Sequence, residues 1–120
     1  MYIEQHSRYQ NKANNIQLRY DDKQFHTTVI KDVLLWIEHN LDQSLLLDDV
    51  ANKAGYTKWY FQRLFKKVTG VTLASYIRAR RLTKAAVELR LTKKTILEIA
   101  LKYQFDSQQS FTRRVMTPTY

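Results

Sequence analysis

The sequence predicts an all-α protein: two helix-turn-helix lobes joined by one long linker helix. Three observations predict it. Two glycines and one proline in 120 residues are too few for a sheet protein dense in turns. From about residue 28 onward, apolar residues recur at i, i+3, i+4 and i+7, the period of helices that bury one stripe. Finally, a helix–turn–helix pattern at residues 47–70 returns fifty positions later, where Phe61-Gln62-Arg63 is matched by Phe111-Thr112-Arg113.

The first 26 residues are polar, hold scattered Tyr and show no helical stripe, so they read as a mobile arm. Ile16, Leu18 and Tyr20 alternate, but a lone strand without a partner is unstable. Thr28 can cap a helix running to about residue 40, with Ile30, Val33, Leu34, Ile37 and Leu41 as its buried stripe. Asp32, Glu38 and Asp42 stand outside that stripe, so this helix reads as scaffold turned away from any polyanion.

The stretch at residues 47–70 organises the rest. A short helix opens with Asp48 and Asp49, whose charge suits the positive end of the helix dipole. Gly55 follows at the place where a helix ends in a left-handed residue. Thr57 can then cap a second helix through its hydroxyl. In that helix Phe61, Leu64, Phe65 and Val68 share one face. Trp59, Gln62, Arg63 and Lys66 repeat the same spacing on the opposite face. Arg and Gln can reach base edges with two hydrogen bonds, Lys supplies charge to phosphate, and Trp supplies apolar contact. The face reads as a recognition surface, with Thr57 at its start joining the candidate DNA-contacting set. The competing reading makes Trp59 one more core aromatic and leaves the charges merely solvated.

Thr72 starts a long helix over residues 72–91, about 30 Å at 1.5 Å per residue, close to one turn of B-DNA. Arg78, Arg80, Arg81 and Lys84 cluster along it. Arg81 and Lys84 are the candidates for phosphate contact, against the bland reading of a solvated face. Thr95 and Glu98 form a capping box before the stripe Ile96, Ile99, Ala100 and Tyr103, and Ser107 can cap one more helix. The second unit repeats the first: Val50-Ala51 matches Ile99-Ala100, and Gly55-Tyr56 matches Gln104-Phe105. Its outward triplet is Gln109, Thr112 and Arg113, with Gln108 beside it. Two recognition helices one DNA turn apart can read a bipartite site as a monomer, where ordinary helix-turn-helix proteins dimerise.

Charge supports this reading. The chain is +9 overall, yet residues 27–52 are net −4 and residues 53–120 net +12. One basic side points to nucleic acid or an anionic surface. Absence of cysteine excludes disulfides and thiolate metal sites, and the three histidines stand far apart with no ligand spacing, so no cofactor or metal is expected. Neither a signal peptide nor a membrane-length apolar run is present, and a cytoplasmic location is expected. No enzyme reading survives: the sequence holds no cysteine, no Ser-His-acid pattern, no paired buried carboxylates at plausible spacing and no phosphate-cradling Gly loop. A membrane-binding reading is disfavoured because caps and charge interrupt the apolar face of the long helix. A basic helical adaptor or a non-specific nucleic-acid binder remains the alternative.

The two recognition segments, AGYTKWYFQRLFK and KYQFDSQQSFTRR, resemble the AraC/XylS transcription regulators over about residues 28–114, in particular the small stand-alone subgroup of MarA, SoxS and Rob. The resemblance implies a seven-helix, two-lobed fold that bends DNA and activates transcription with RNA polymerase. It implies base reading from Trp59, Gln62 and Arg63 in the first lobe, over residues 28–70. In the second lobe, residues 95–120, it implies reading from Gln108, Gln109, Thr112 and Arg113. With no effector domain in the sequence, activity is expected to follow protein abundance and not a small molecule. Two departures stand out. Gln104 occupies a place where most members have Gly, which implies an awkward backbone or another turn shape. The end, RRVMTPTY, lacks the Phe at 115 and the closing helix of the family, so residues 107–120 are expected to be frayed and the second site weakened.

Overall fold

The computed structural model describes residues 12–106 and 108–116, with side chains placed for residues 22–106 and 110–114. Among them every regular element is a helix: α1 (Lys12–Glu38), α2 (Leu47–Ala54), α3 (Lys58–Thr69), α4 (Leu73–Leu91), α5 (Ile96–Lys102) and α6 (Gln108–Met116). The order α2-turn-α3, long α4, α5-turn-α6 is the expected two-lobed arrangement.

α1 departs from expectation. It begins at Lys12, not at Thr28, so residues 12–26 of the expected arm are helical, while residues 1–11 lie outside the described residues. The physical reason is that no Gly or Pro interrupts residues 12–38. Thr28 lies inside the helix, where its hydroxyl donates to the Gln24 carbonyl at 3.0 Å, and Thr27 does the same to Lys23 at 2.9 Å. These hydroxyls bond backward along the helix and cap nothing. The stretch before Thr28 is held at its last turns by His26, whose ring lies 5.5 Å from Tyr56 and 5.8 Å from Tyr60. His26 Nδ1 shares a hydrogen bond with the Tyr56 hydroxyl, and burial pushes that phenol up to about 12.

Caps fix the remaining boundaries. Thr57, Thr72 and Thr95 each accept a hydrogen bond from the backbone N–H three residues on. Thr95 and Glu98 complete the capping box in both directions, at 3.1 and 2.8 Å. Gly55 ends α2 at φ 83°, with Gly55 N–H bonded to Asn52 and Tyr56 N–H to Ala51. This paired bonding closes the helix with a left-handed residue. The second turn has the same two bonds, Gln104 N–H to Leu101 and Phe105 N–H to Ala100, and Gln104 itself takes φ 66°. The turn keeps its shape and Gln104 accepts the left-handed backbone.

One apolar core runs through both lobes. Ile30, Ile37, Val50, Phe61 and Phe65 fill the first, Leu73, Ile77 and Ala85 of α4 carry it onward, and Ile99, Ala100 and Phe111 fill the second. Phe111 is 1% exposed, its ring 4.9 Å from that of Phe105. Residues 108–116 of the segment expected to fray form α6. Residues 107, with its expected cap, and 117–120 lie outside the described residues.

Candidate nucleic-acid interface

α3 has two chemically opposed sides because its apolar residues recur at helical spacing. Phe61, Leu64 and Phe65 are buried against the core, which turns the other side of the helix outward. On that side Trp59 is 72% exposed, and Gln62, Arg63 and Lys66 are exposed beside it. Trp59 is therefore not a core aromatic. Lys58 Nζ lies 5.6 Å from the Trp59 ring centroid and 3.7 Å from Asp48 Oδ1, which steadies the indole from one side. Among the described residues the side chains of Gln62, Arg63 and Lys66 have no hydrogen-bond or ion-pair partner, and all three are exposed. Thr57 is exposed at the start of α3, where its hydroxyl is engaged at 3.3 Å by the Tyr60 N–H.

α6 repeats the arrangement in the second lobe. Phe111 is buried, Thr112 is half-buried and Arg113 is exposed. Gln108 and Gln109 lie in the first turn of α6, and their side chains are outside the described ones. The helix joining the lobes has 19 residues, about 28 Å at 1.5 Å per residue.

The linker basics divide into three groups. Arg78 is exposed and without a partner among the described residues. Arg80 and Lys84 converge on Glu38 of α1, with Lys84 Nζ at 3.5 Å from Oε2. The Arg80 hydrogen bonds chiefly hold the Glu38 carboxyl below the usual carboxylate range. Arg81 turns inward: its Nε donates to the Leu41 carbonyl at 3.0 Å and its Nη2 to the Gln43 carbonyl at 2.6 Å. Burial lowers its pKa from the ordinary arginine value. The expected phosphate contact from Arg81 is at odds with this geometry, because the guanidinium is spent on backbone carbonyls. A signal for this stood in the sequence. Arg81 is four residues from both Ile77 and Ala85, each buried, so it belongs to the same stripe.

The opposite end of the charge distribution is also visible. Asp32, Asp42, Asp48 and Asp49 are exposed on or beside α1 and α2. The acidic scaffold also touches the basic elements: Asp48 lies 3.7 Å from Lys58 of α3, and Glu38 pairs with Arg80 and Lys84 of α4. No helix among the described residues is long and apolar enough to cross a membrane.

Comparison with known proteins agrees with this geometry. A helix-turn-helix domain family matches residues 50–117. The chain is 92% identical over 125 aligned positions to the transposon Tn10 TetD protein of Escherichia coli, covering all of this chain and 91% of that protein. It is 50% identical over 103 residues to the HTH-type transcriptional activator AarP of Providencia stuartii, covering 84% of this chain and 76% of that one. Among solved structures, an AraC-type transcriptional regulator from Chromobacterium violaceum superposes with a TM-score of 0.68 at 28% identity, over 73% of this chain and 79% of that one. With its two helix-turn-helix lobes and these relatives, the chain belongs to the AraC-type family of helix-turn-helix DNA-binding transcription regulators, in the MarA/SoxS/Rob subgroup.

Proposed function

We propose that this protein activates transcription in the cytoplasm by reading a bipartite promoter site as a monomer and engaging RNA polymerase from that position. The observation that carries the proposal is the outward face of α3, with an indole 72% exposed one turn before unpartnered Gln and Arg side chains on a helix whose other side is buried. Arg63 and Gln62 suit bidentate contact with base edges in the major groove, and Trp59 suits apolar contact with a thymine methyl. In α6, Thr112 and Arg113 suit contact at the next groove opening, and Gln108 and Gln109 stand in the first turn of the same helix. Lys66, Lys67 and Arg78 supply phosphate contact, with Lys84 a further source beside Glu38. Arg81 supports the scaffold. The name of AarP, an activator 50% identical to this chain, supports activation over repression.

The test is selection from a random duplex library, followed by transcription in vitro from a promoter carrying the selected site. The expected result is enrichment of two short motifs about one helical turn apart, and more transcript when the protein is added. No enrichment over the starting library would contradict sequence-specific reading. Enrichment of one motif alone would contradict the bipartite part.

A further inference from the structure

The two turns of the repeat differ at one residue. Gly55 and Gln104 occupy the same place, close their helices with the same pair of backbone hydrogen bonds, and have φ of 83° and 66°. Glycine adopts this backbone freely, whereas an L side chain is strained there by about 1 kcal/mol. The Gln104 side chain has a compensating contact. Its Nε2 donates to the carbonyl of Asp42 at 3.0 Å, across 62 residues of sequence, in the loop between α1 and α2.

That carbonyl is the middle one of three. Arg81 of the linker takes the carbonyls on either side, those of Leu41 and Gln43. Three consecutive carbonyls of the first lobe are thus bound by side chains from the linker and from the turn of the second lobe. Beside these bonds lies a cleft of about 300 Å³, lined by Leu45 of the first lobe, Arg78 of the linker, and Phe105 and Arg114 of the second lobe, among others. Gln104 lines the same cleft, so its hydrogen bond spans a gap that side-chain packing leaves open.

We propose that Gln104 is a positioning residue: its bond to the Asp42 carbonyl fixes α6 relative to α3 and so restricts the half-site spacing that the protein accepts. This rests on the bipartite reading above. Each base pair added between half-sites moves the second one by about 3.4 Å along the duplex and turns it by about 35°. A second lobe held at its turn cannot follow that displacement. A lobe released there follows it more readily, because the joint then rests on α4 and its core contacts.

The test compares the full chain with Gln104→Gly, which removes strain and bond together, and Gln104→Glu, which keeps the length but cannot donate. Duplexes would carry the selected half-sites at the optimal spacing and at one base pair more or less. The expected result is a several-fold loss of discrimination between spacings in both variants, with binding to the first half-site alone unchanged. Unaltered discrimination in both variants would overturn the proposal. A readout free of DNA runs beside it, made clean by the absence of cysteine. Spin labels at K67C and L101C would report a narrow inter-lobe distance distribution, broadened by either Gln104 substitution. If the parent protein bound intact and half sites equally, the bipartite reading would fall. The distance distribution would still decide the tether, and an unchanged width would refute it.

Discussion

Arg80 grips Glu38 with two parallel hydrogen bonds, Nε to Oε1 at 3.0 Å and Nη2 to Oε2 at 2.8 Å, and so joins the linker helix to the end of α1. The fork geometry is what distinguishes this contact from a surface ion pair. Both side chains retain solvent contact, 36% for Arg80 and 27% for Glu38, which reduces its worth through screening. Arg80→Ala is expected to lower stability by about 1–2 kcal/mol in urea unfolding. Arg80→Lys should recover less than half of that, because an ammonium cannot match both oxygens. Full recovery by Lys would show that charge alone matters here.

Glu88 is the corresponding hub of the second lobe. Lys102 Nζ and the Tyr103 hydroxyl both donate to Oε1 at 2.8 Å, and Lys94 Nζ donates to Oε2 at 3.3 Å. Led by the Lys102 bond and opposed by burial, these contacts bring the carboxyl down to about 2 from 4.5. A lowered folded-state pKa means that the ionised form stabilises the fold. That stabilisation is complete above about pH 4.5 and is lost as pH falls toward 2. The thermal midpoint should therefore decline between these values, and Glu88→Gln should flatten that part of the profile. Parallel profiles for the two proteins would contradict the assignment.

Arg63 is free to read a base. Arg63→Ala is expected to cost about 1–3 kcal/mol on the preferred site and to relax discrimination at one base pair. Its exposed position predicts an unchanged unfolding curve. Equal losses on preferred and scrambled duplexes would remove the base-reading role.

Arg81 and Arg78 separate structure from phosphate contact. Arg81→Ala leaves two carbonyls of the α1–α2 loop without their donor, so stability should fall by about 1–3 kcal/mol while the salt dependence of binding stays the same. Arg78→Ala should do the reverse, lowering the salt slope by about one with little change in stability. A lowered slope for Arg81→Ala at unchanged stability would return Arg81 to the phosphate-contacting set.

Much of this arrangement was legible because the relevant signals are local. Thr57, Thr72 and Thr95 cap where their spacing places them, and Gly55 and Gly70 end helices at φ 83° and 85°. The split of α3 follows from Phe61, Leu64 and Phe65 alone. Two features escaped for physical reasons. The turns of α1 before Thr28 have no apolar stripe of their own, and their last one is held by the contact of His26 with Tyr56, 30 residues away. The end of the second lobe read as weak from Val115, but the burial of Phe111 against Phe105 depends on the tertiary arrangement. Arg81 makes its hydrogen bonds to backbone 38 and 40 residues earlier, and its place in the stripe of Ile77 and Ala85, not the charge pattern, is what signals them.

The central claim is that both lobes read DNA at once. Fluorescence anisotropy on a roughly 20-bp duplex spanning both major-groove openings tests it most directly. A half-site duplex and a scrambled duplex would run beside it at near-physiological salt. A marked preference for the intact site over both is the predicted result. Equal affinity for intact and half sites would contradict the claim and leave α3 as the reading helix, and equal affinity for scrambled DNA would contradict specific reading altogether.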